Sequence, residues 1–252
     1  MGIPLDRVTE EEAVEHILTA CGLGQGGSVM TPNVDIVRQV VGDSDLRRLV
    51  NTATLLLADG TPLVWASRLQ GDPLPGRIPG STLIWSLSTA AAAAGASIFL
   101  LGAAPGVAAR AGQALQAAIP GLIVAGHHCP PLGFENSPEE IALIMESIGA
   151  SNPNIVFCGL GSFKQERLME KLVAVFPNIW FLGTGAAIDF AAGDTTRAPL
   201  WMQKRGLEWL HRLTHEPKRL FRRYVIHDIP FALHLLVTAA LSRQPRPQET
   251  AT

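Results

Sequence analysis

Short apolar runs alternate along this chain with longer stretches in which apolar residues recur at helical spacing. Ser28-Val29-Met30, the run Leu55-Leu56-Leu57-Ala58, Ser97 to Gly102, Leu122 to Gly126, Asn154 to Gly159 and Ile179 to Gly183 read as buried strands, several closed by glycine. Helices are predicted over Glu10 to Ala20, Asp35 to Val41, Asp45 to Thr52, Pro62 to Leu69, Ser81 to Ala94 and Pro138 to Gly149. Thr9 with Glu12 has the spacing of a capping box, and Ser137 is placed to cap the helix after it. Pro62 falls near the first helical position, where proline is tolerated. Gly71 to Gly80, with three prolines and three glycines, reads as a loop.

The pattern also repeats. A strand ending at Gly102 is followed by a helix, Pro120 and a strand; the layout recurs from Gly159 to Pro177 at the same separation. Two such strand–helix–strand units predict parallel strands joined by right-handed crossovers. The fold class expected is therefore α/β, with a Rossmann-like, mostly parallel sheet flanked by helices.

Composition narrows the picture. The chain has 252 residues, 47% hydrophobic and 17% charged, enough for one large domain or two closely joined halves. Its three cysteines lack paired spacing, which points to a reducing cytoplasm rather than a disulfide framework. No basic-then-apolar leader is visible at the N-terminus. His127-His128-Cys129 reads as a loop rather than a metal site. Charge is divided unevenly: residues 1–196 carry 10 basic and 18 acidic side chains, whereas residues 197–224 carry 8 and 2. The expected division is an α/β body over 1–196, a basic and then apolar helical appendage over 197–243, and a disordered polar tail over 244–252.

Candidate chemistry starts at Asp59. It follows an apolar run and precedes Gly60 and Pro62, so it stands at a strand exit. Ligands in parallel α/β sheets bind outside the carboxyl ends of strands, which suits a working carboxylate. Asp before Gly is also a common turn or capping pair, and the residue alone does not decide between the two. Gly159-Leu160-Gly161 and Gly183-Thr184-Gly185 have the form of turns that let backbone N–H groups approach phosphate. Neither completes a dinucleotide fingerprint, and as plain strand-to-helix turns they need no ligand.

Several stretches together resemble one family. Thr31-Pro32-Asn33, Ala58-Asp59-Gly60-Thr61-Pro62-Leu63-Val64-Trp65, Leu74-Pro75-Gly76-Arg77 with Gly80, Lys164-Gln165-Glu166 and Gly183-Thr184-Gly185-Ala186 are similar in order and spacing to the WecG/TagA/CpsF glycosyltransferases, over roughly residues 4 to 225. The resemblance implies an inverting transfer of an N-acetylmannosamine-type sugar or glucose. The donor is a UDP-sugar, the acceptor a sugar on a polyprenyl pyrophosphate, and the product feeds a cell-surface polysaccharide. It implies no cofactor and no metal.

By the same resemblance Asp59 is the general base, Arg77 binds phosphate, Thr31 and Asn33 hold sugar or orient Asp59, and Gln165 contacts donor sugar. Gly159, Gly183, Gly185 and Asp189 would cradle UDP. Arg212, Arg219 and Arg222 would reach over the site from the basic segment. Plainer readings exist for most of these positions. Thr31 and Asn33 are good helix caps, Arg77 fits a solvated loop, Lys164 and Glu166 fit an exposed helix start, and Asp189 fits a turn. Two departures stand out: the family usually has proline where Phe163 stands, and often an acid after Gly80, where this chain has Ser81-Thr82.

Residues 197–224 interleave arginines and lysines with Trp201, Trp209, Leu213 and Phe221, which suits an anionic membrane surface, each basic residue contributing about 1 kcal/mol. Packing of the same residues on the acidic body is the alternative. Val225 to Leu241 is apolar but interrupted by His227, Asp228, Pro230 and His234, so the expectation is an interfacial or partner-docking helix from Phe231 to Leu241 rather than a spanning one. A peripheral enzyme on the inner face of the cell membrane is the combined expectation, with no nucleic-acid partner and homo-oligomerisation left open. The rivals are an NAD(P)-binding oxidoreductase and a non-catalytic membrane-docked scaffold.

Overall fold

This computed structural model describes residues 3–242; the expected polar tail, 244–252, lies outside them. The elements in chain order are α1 (Glu10–Gly22), β1 (Gly27–Met30), α2 (Val34–Val41), α3 (Ser44–Val50), β2 (Leu55–Leu56), α4 (Thr61–Gln70), α5 (Gly80–Ala94), β3 (Ser97–Gly102), α6 (Val107–Ala118), β4 (Ile123–His128), α7 (Pro138–Ser151), β5 (Ile155–Gly159), α8 (Lys164–Val175), β6 (Trp180–Gly183), α9 (Ala187–Ala192), α10 (Leu200–Lys204), α11 (Glu208–His215), α12 (Pro217–Phe221) and α13 (Ile229–Leu241). The capping box at Thr9 and the caps at Asn33 and Ser137 form as their residue types dictate.

The six strands make one sheet in the order β2-β1-β6-β5-β3-β4, and every pair is parallel. Both strand–helix–strand repeats, β3-α6-β4 and β5-α8-β6, place their strands side by side. Side chains alternate between the faces. Ile98, Leu100, Ile155, Phe157, Trp180 and Leu182 pack with α1, α5, α6 and α9. Phe99, Leu101, Val156, Cys158 and Phe181 pack with α2, α3, α7 and α8 on the other side. Such runs, apolar at every position, are what a sheet covered on both faces requires. Each fully buried aliphatic or phenyl side chain contributes about 1.5–3 kcal/mol.

Three elements differ from the sequence expectations. The Leu55 run pairs over only two residues and lies at the sheet edge. Asp6 shields that edge: its N–H donates to the Leu56 carbonyl and its carboxylate accepts from Leu56 N–H at 2.7 Å. At the opposite edge β4 runs through His127 and His128, which are therefore strand residues and not loop. At the C-terminus, Pro217 to Leu241 forms one continuous helix of 25 residues instead of a short one beginning at Phe231.

A π-helical turn over Arg222–Asp228 joins α12 to α13 and ends two residues before Pro230, which stands in the first turn of α13. The interrupting Asp228 is buried against Arg38 and Arg223, so it does not break the helix. By length and composition alone this helix could cross a membrane, with mean hydropathy 1.5 in its most apolar window. One face of α13, through Leu235 and Ala239, packs with Leu63 and Ala66 of α4 and Val37 of α2. Leu233, Val237 and Leu241 on another face are exposed.

Candidate active site

Four neighbouring strands, β2, β1, β6 and β5, release their chains on the same side of the sheet, and a cleft of about 950 Å³ opens there. Thr31 and Asn33 enter it after β1, and Asp59 after β2. Gly159 and Gln165 line it after β5, and Gly185 and Asp189 after β6. Arg77 arrives from the proline-rich loop. The C-terminal segment forms the opposite wall with Arg197, Glu208, Trp209, Arg212, Arg219 and Arg223. Two expected residues are elsewhere: Arg222 is exposed and Gly183 lies behind Gln165, and neither is part of the lining.

Asp59 is held by its backbone, with its N–H donating to the Pro32 carbonyl at 2.9 Å. The cap of α4 is Gly60, and no side chain makes the capping hydrogen bond. Among the described residues nothing pairs with the Asp59 carboxylate. Burial pushes this carboxyl up to about 7; Glu208 adds to the rise, while Arg77, Arg212 and Arg197 pull against it.

The other residues divide by what already holds them. The Thr31 hydroxyl donates to the Gly183 carbonyl at 3.0 Å. Asn33 caps α2, accepting from Ile36 N–H at 3.1 Å, and its amide nitrogen has no hydrogen bond among the described residues. Gly159 is needed for backbone clearance, since a Cβ there would lie 2.8 Å from the Gly185 carbonyl oxygen. Burial raises the Asp189 carboxyl on α9, and Arg212 opposes this. Phe163, at φ 63°, adopts a backbone conformation closed to the proline usual at that position.

Glu208 ties the arginines together. It accepts from Arg77 through Oε2 and from Arg197 Nε through Oε1 at 3.1 Å. Arg77 also donates to the Gln203 carbonyl at 2.5 Å, and Arg197 to the Thr82 hydroxyl at 2.9 Å. Ser81-Thr82, the departure after Gly80, thus receives an arginine from the C-terminal segment. Arg219 pairs with Glu216 at 2.6 Å. Arg223 meets Asp35 at 2.9 Å, and Arg38 bridges Asp35 and Asp228. Arg212 is half-buried and is the cleft arginine with no ion partner among the described residues.

Sequence reasoning missed Arg197 and Glu208 as site residues, and the Asp35–Arg38–Arg223–Asp228 cluster. Glu208 and Glu216 were the available signal, being the two acids in an otherwise basic segment. An Asp-x-Asp pair also occurs, Asp43-Ser44-Asp45, but Asp43 caps α3 and lies outside the cleft.

Comparison with known proteins agrees with this geometry. The model of the glycosyl transferase WecG/TagA/CpsF family matches residues 1–245. An N-acetylglucosaminyldiphosphoundecaprenol N-acetyl-beta-D-mannosaminyltransferase of Staphylococcus aureus is 30% identical over 241 residues, covering 95% of this chain and 91% of its own. A protein of the same name from Bacillus spizizenii is 31% identical over 207 residues, covering 82% and 78% respectively. A parallel sheet opening onto an arginine-rich cleft, together with a family match over nearly the whole length, places this chain in the WecG/TagA/CpsF family of glycosyl transferases.

Proposed function

We propose that this glycosyltransferase moves a sugar from a UDP-sugar to a sugar carried on a polyprenyl diphosphate, with inversion at the anomeric carbon. The observation that carries the reading is Asp59. It is an unpaired carboxylate at a strand exit, raised to about 7, in a cleft with arginines on its opposite wall. In the reaction Asp59 takes the proton of the acceptor hydroxyl as that oxygen bonds to the anomeric carbon. The bond from that carbon to the phosphate oxygen breaks, and UDP departs with the electron pair. A base so placed contributes roughly 10²–10⁴-fold.

Arginine is suited to the leaving diphosphate because its planar fork matches phosphate oxygens. Arg212 is the available cation, and Arg77 and Arg197 become available when Glu208 yields. These groups can carry the charge without a metal. Asn33 offers its free amide nitrogen to a sugar hydroxyl, and Thr31 braces the β1 and β6 exits. The names of the relatives favour an N-acetylmannosamine-type donor and an N-acetylglucosamine-diphosphate-lipid acceptor.

A lipid-linked acceptor also favours work at the membrane surface, on its cytoplasmic side, with the exposed face of α13 against lipid. Family membership favours the transferase over the oxidoreductase and scaffold alternatives. The test is UDP release from a panel of UDP-sugars with a short-chain polyprenyl-diphosphate N-acetylglucosamine as acceptor. Turnover with one donor and an inverted product supports the proposal; no release with any donor rejects it.

A further inference from the structure

Gln165 and Glu166 open α8, where an exposed helix start is the plainer reading for Lys164 and Glu166. Gln165 and Glu166 are both buried, at 5% and 3% exposure. Lys164, the third residue of the motif, instead faces outward and pairs with Glu135. Glu166 is held from two sides: the Phe163 N–H donates to its Oε2, and the Gln165 Nε2 donates to its Oε1 at 2.8 Å. Burial raises this carboxyl, and the donors from Gln165 and the backbone pull against the rise; both of its oxygens accept, so both neighbours are donors. That requirement fixes which way the Gln165 amide turns. Its NH₂ faces Glu166, and its carbonyl oxygen is left over.

The leftover oxygen is notable. Gln165 lines the cleft, and its Oε1 is buried without a hydrogen-bond partner among the described residues. An orphaned buried acceptor destabilises the site, and a ligand that donates to it recovers that loss. Gly183 explains how the amide fits: a Cβ there would stand 2.9 Å from Nε2 and 3.5 Å from Cδ, so the amide rests where only glycine leaves room.

We infer that Glu166 is a positioning residue that locks the Gln165 amide so that its carbonyl oxygen accepts a hydrogen bond from an N–H or O–H group of the bound UDP-sugar. This rests on the transferase reading given above. The ligand group is a sugar hydroxyl, a sugar acetamide N–H or the uracil imide N–H; all three share the donor chemistry, and a carbonyl or ether oxygen of the ligand cannot serve.

The test is a double-mutant cycle on the full chain, using Gln165→Met, Glu166→Gln and the pair, with calorimetric Kd values for UDP, UDP-glucose and UDP-N-acetylglucosamine. Glu166→Gln cannot accept from both Phe163 and Gln165 without meeting one of them donor to donor. Each single change is expected to weaken the bound nucleotide sugar about fivefold, as for one lost neutral hydrogen bond. The double variant should be no weaker than either single one, because Glu166 acts through Gln165.

Weakening of UDP itself assigns the contact to the uridine, through its uracil imide or a ribose hydroxyl; weakening confined to the UDP-sugars assigns it to the transferred sugar. Effects that multiply in the double variant, or an unchanged Kd in Gln165→Met, overturn the inference. So does a wild-type protein that binds none of the three ligands. Glu166→Asp, which keeps a carboxylate but shortens its reach, serves if Glu166→Gln does not fold, and is expected to behave as Gln165→Met does. Wild-type protein that binds a UDP-sugar without transferring it would overturn the transferase reading and leave this cycle readable.

Discussion

Arg77 and Glu208 form an ion pair across the mouth of the cleft, between a loop of the α/β body and helix α11 of the C-terminal segment. The same carboxylate holds Arg197, so one acid is shared by two arginines beside Asp59 and the trio keeps a net positive charge. The C-terminal wall is thereby fastened to the site through charge that a diphosphate would also seek.

Glu208→Gln removes a negative charge that favours protonated Asp59 and releases two guanidiniums. The apparent pKa on the acid limb of kcat/KM therefore moves to lower pH, and UDP binds several-fold tighter by calorimetry. An acid limb that stays in place would separate Glu208 from Asp59.

Gly206→Ala tests how closely that wall must sit. Gly206 has φ +71°, and a Cβ there would lie 2.0 Å from the Thr61 hydroxyl oxygen, two residues beyond Asp59. The turn before α11 has to move, and kcat/KM is expected to fall at least tenfold while the melting temperature stays within a few degrees. Full activity in this variant would show that the turn need not touch Thr61.

Arg38→Ala breaks the charge cluster that fixes the C-terminal helix to α2. It leaves the buried Asp35 and Asp228 with Arg223 as their remaining ion partner, Gln39 still donating to Asp35 at 3.1 Å. Because Arg38 itself is partly solvated, the loss is on the order of 2 kcal/mol, less than breaking a fully buried pair costs. Denaturant unfolding measures it. Burial and Asp35 hold the Asp228 carboxyl up at about 6, which makes folding more favourable below that value and less so above it. Asp228→Asn removes this cost, so its stability should decline less than that of wild type between pH 5 and 7.

The exposed face of α13 is tested without disturbing its packing. Leu233 and Val237 are each 60% exposed, whereas Leu235 and Ala239 are buried against α4. Leu233→Glu with Val237→Glu is expected to abolish flotation with anionic vesicles and to leave the melting temperature unchanged. Flotation equal to wild type would contradict docking through this face.

Much of the body could be read locally. Apolar runs closed by glycine located the strands, and Thr9, Asn33 and Ser137 announced their helices because a cap bonds within three residues. Asp59, Thr31 and Gln165 lay at strand exits, so a parallel sheet was enough to bring them to one side. What remained hidden depends on partners far apart in the chain. Arg38 and Asp228 are 190 positions apart, and nothing near Asp228 foretold that an arginine would satisfy it. For the same reason the interruption at 227–230 reads, from sequence alone, as the end of one helix and the start of another. Sequence leaves Glu166 open between an exposed helix start and a site residue, because helix-start glutamates are usually solvated, and only the fold shows this one enclosed.

Asp59 carries the central claim. Its carboxyl stands at about 7, so the base is half protonated near neutrality and is lost as pH falls. The deciding measurement is the pH dependence of kcat/KM for UDP release, in wild type and in Asp59→Asn. Wild type is expected to lose activity below an apparent pKa near 7, and the asparagine variant to be slower by roughly 10²–10⁴-fold at pH 8. An asparagine variant that transfers sugar at the wild-type rate, with the same acid limb, would contradict the account.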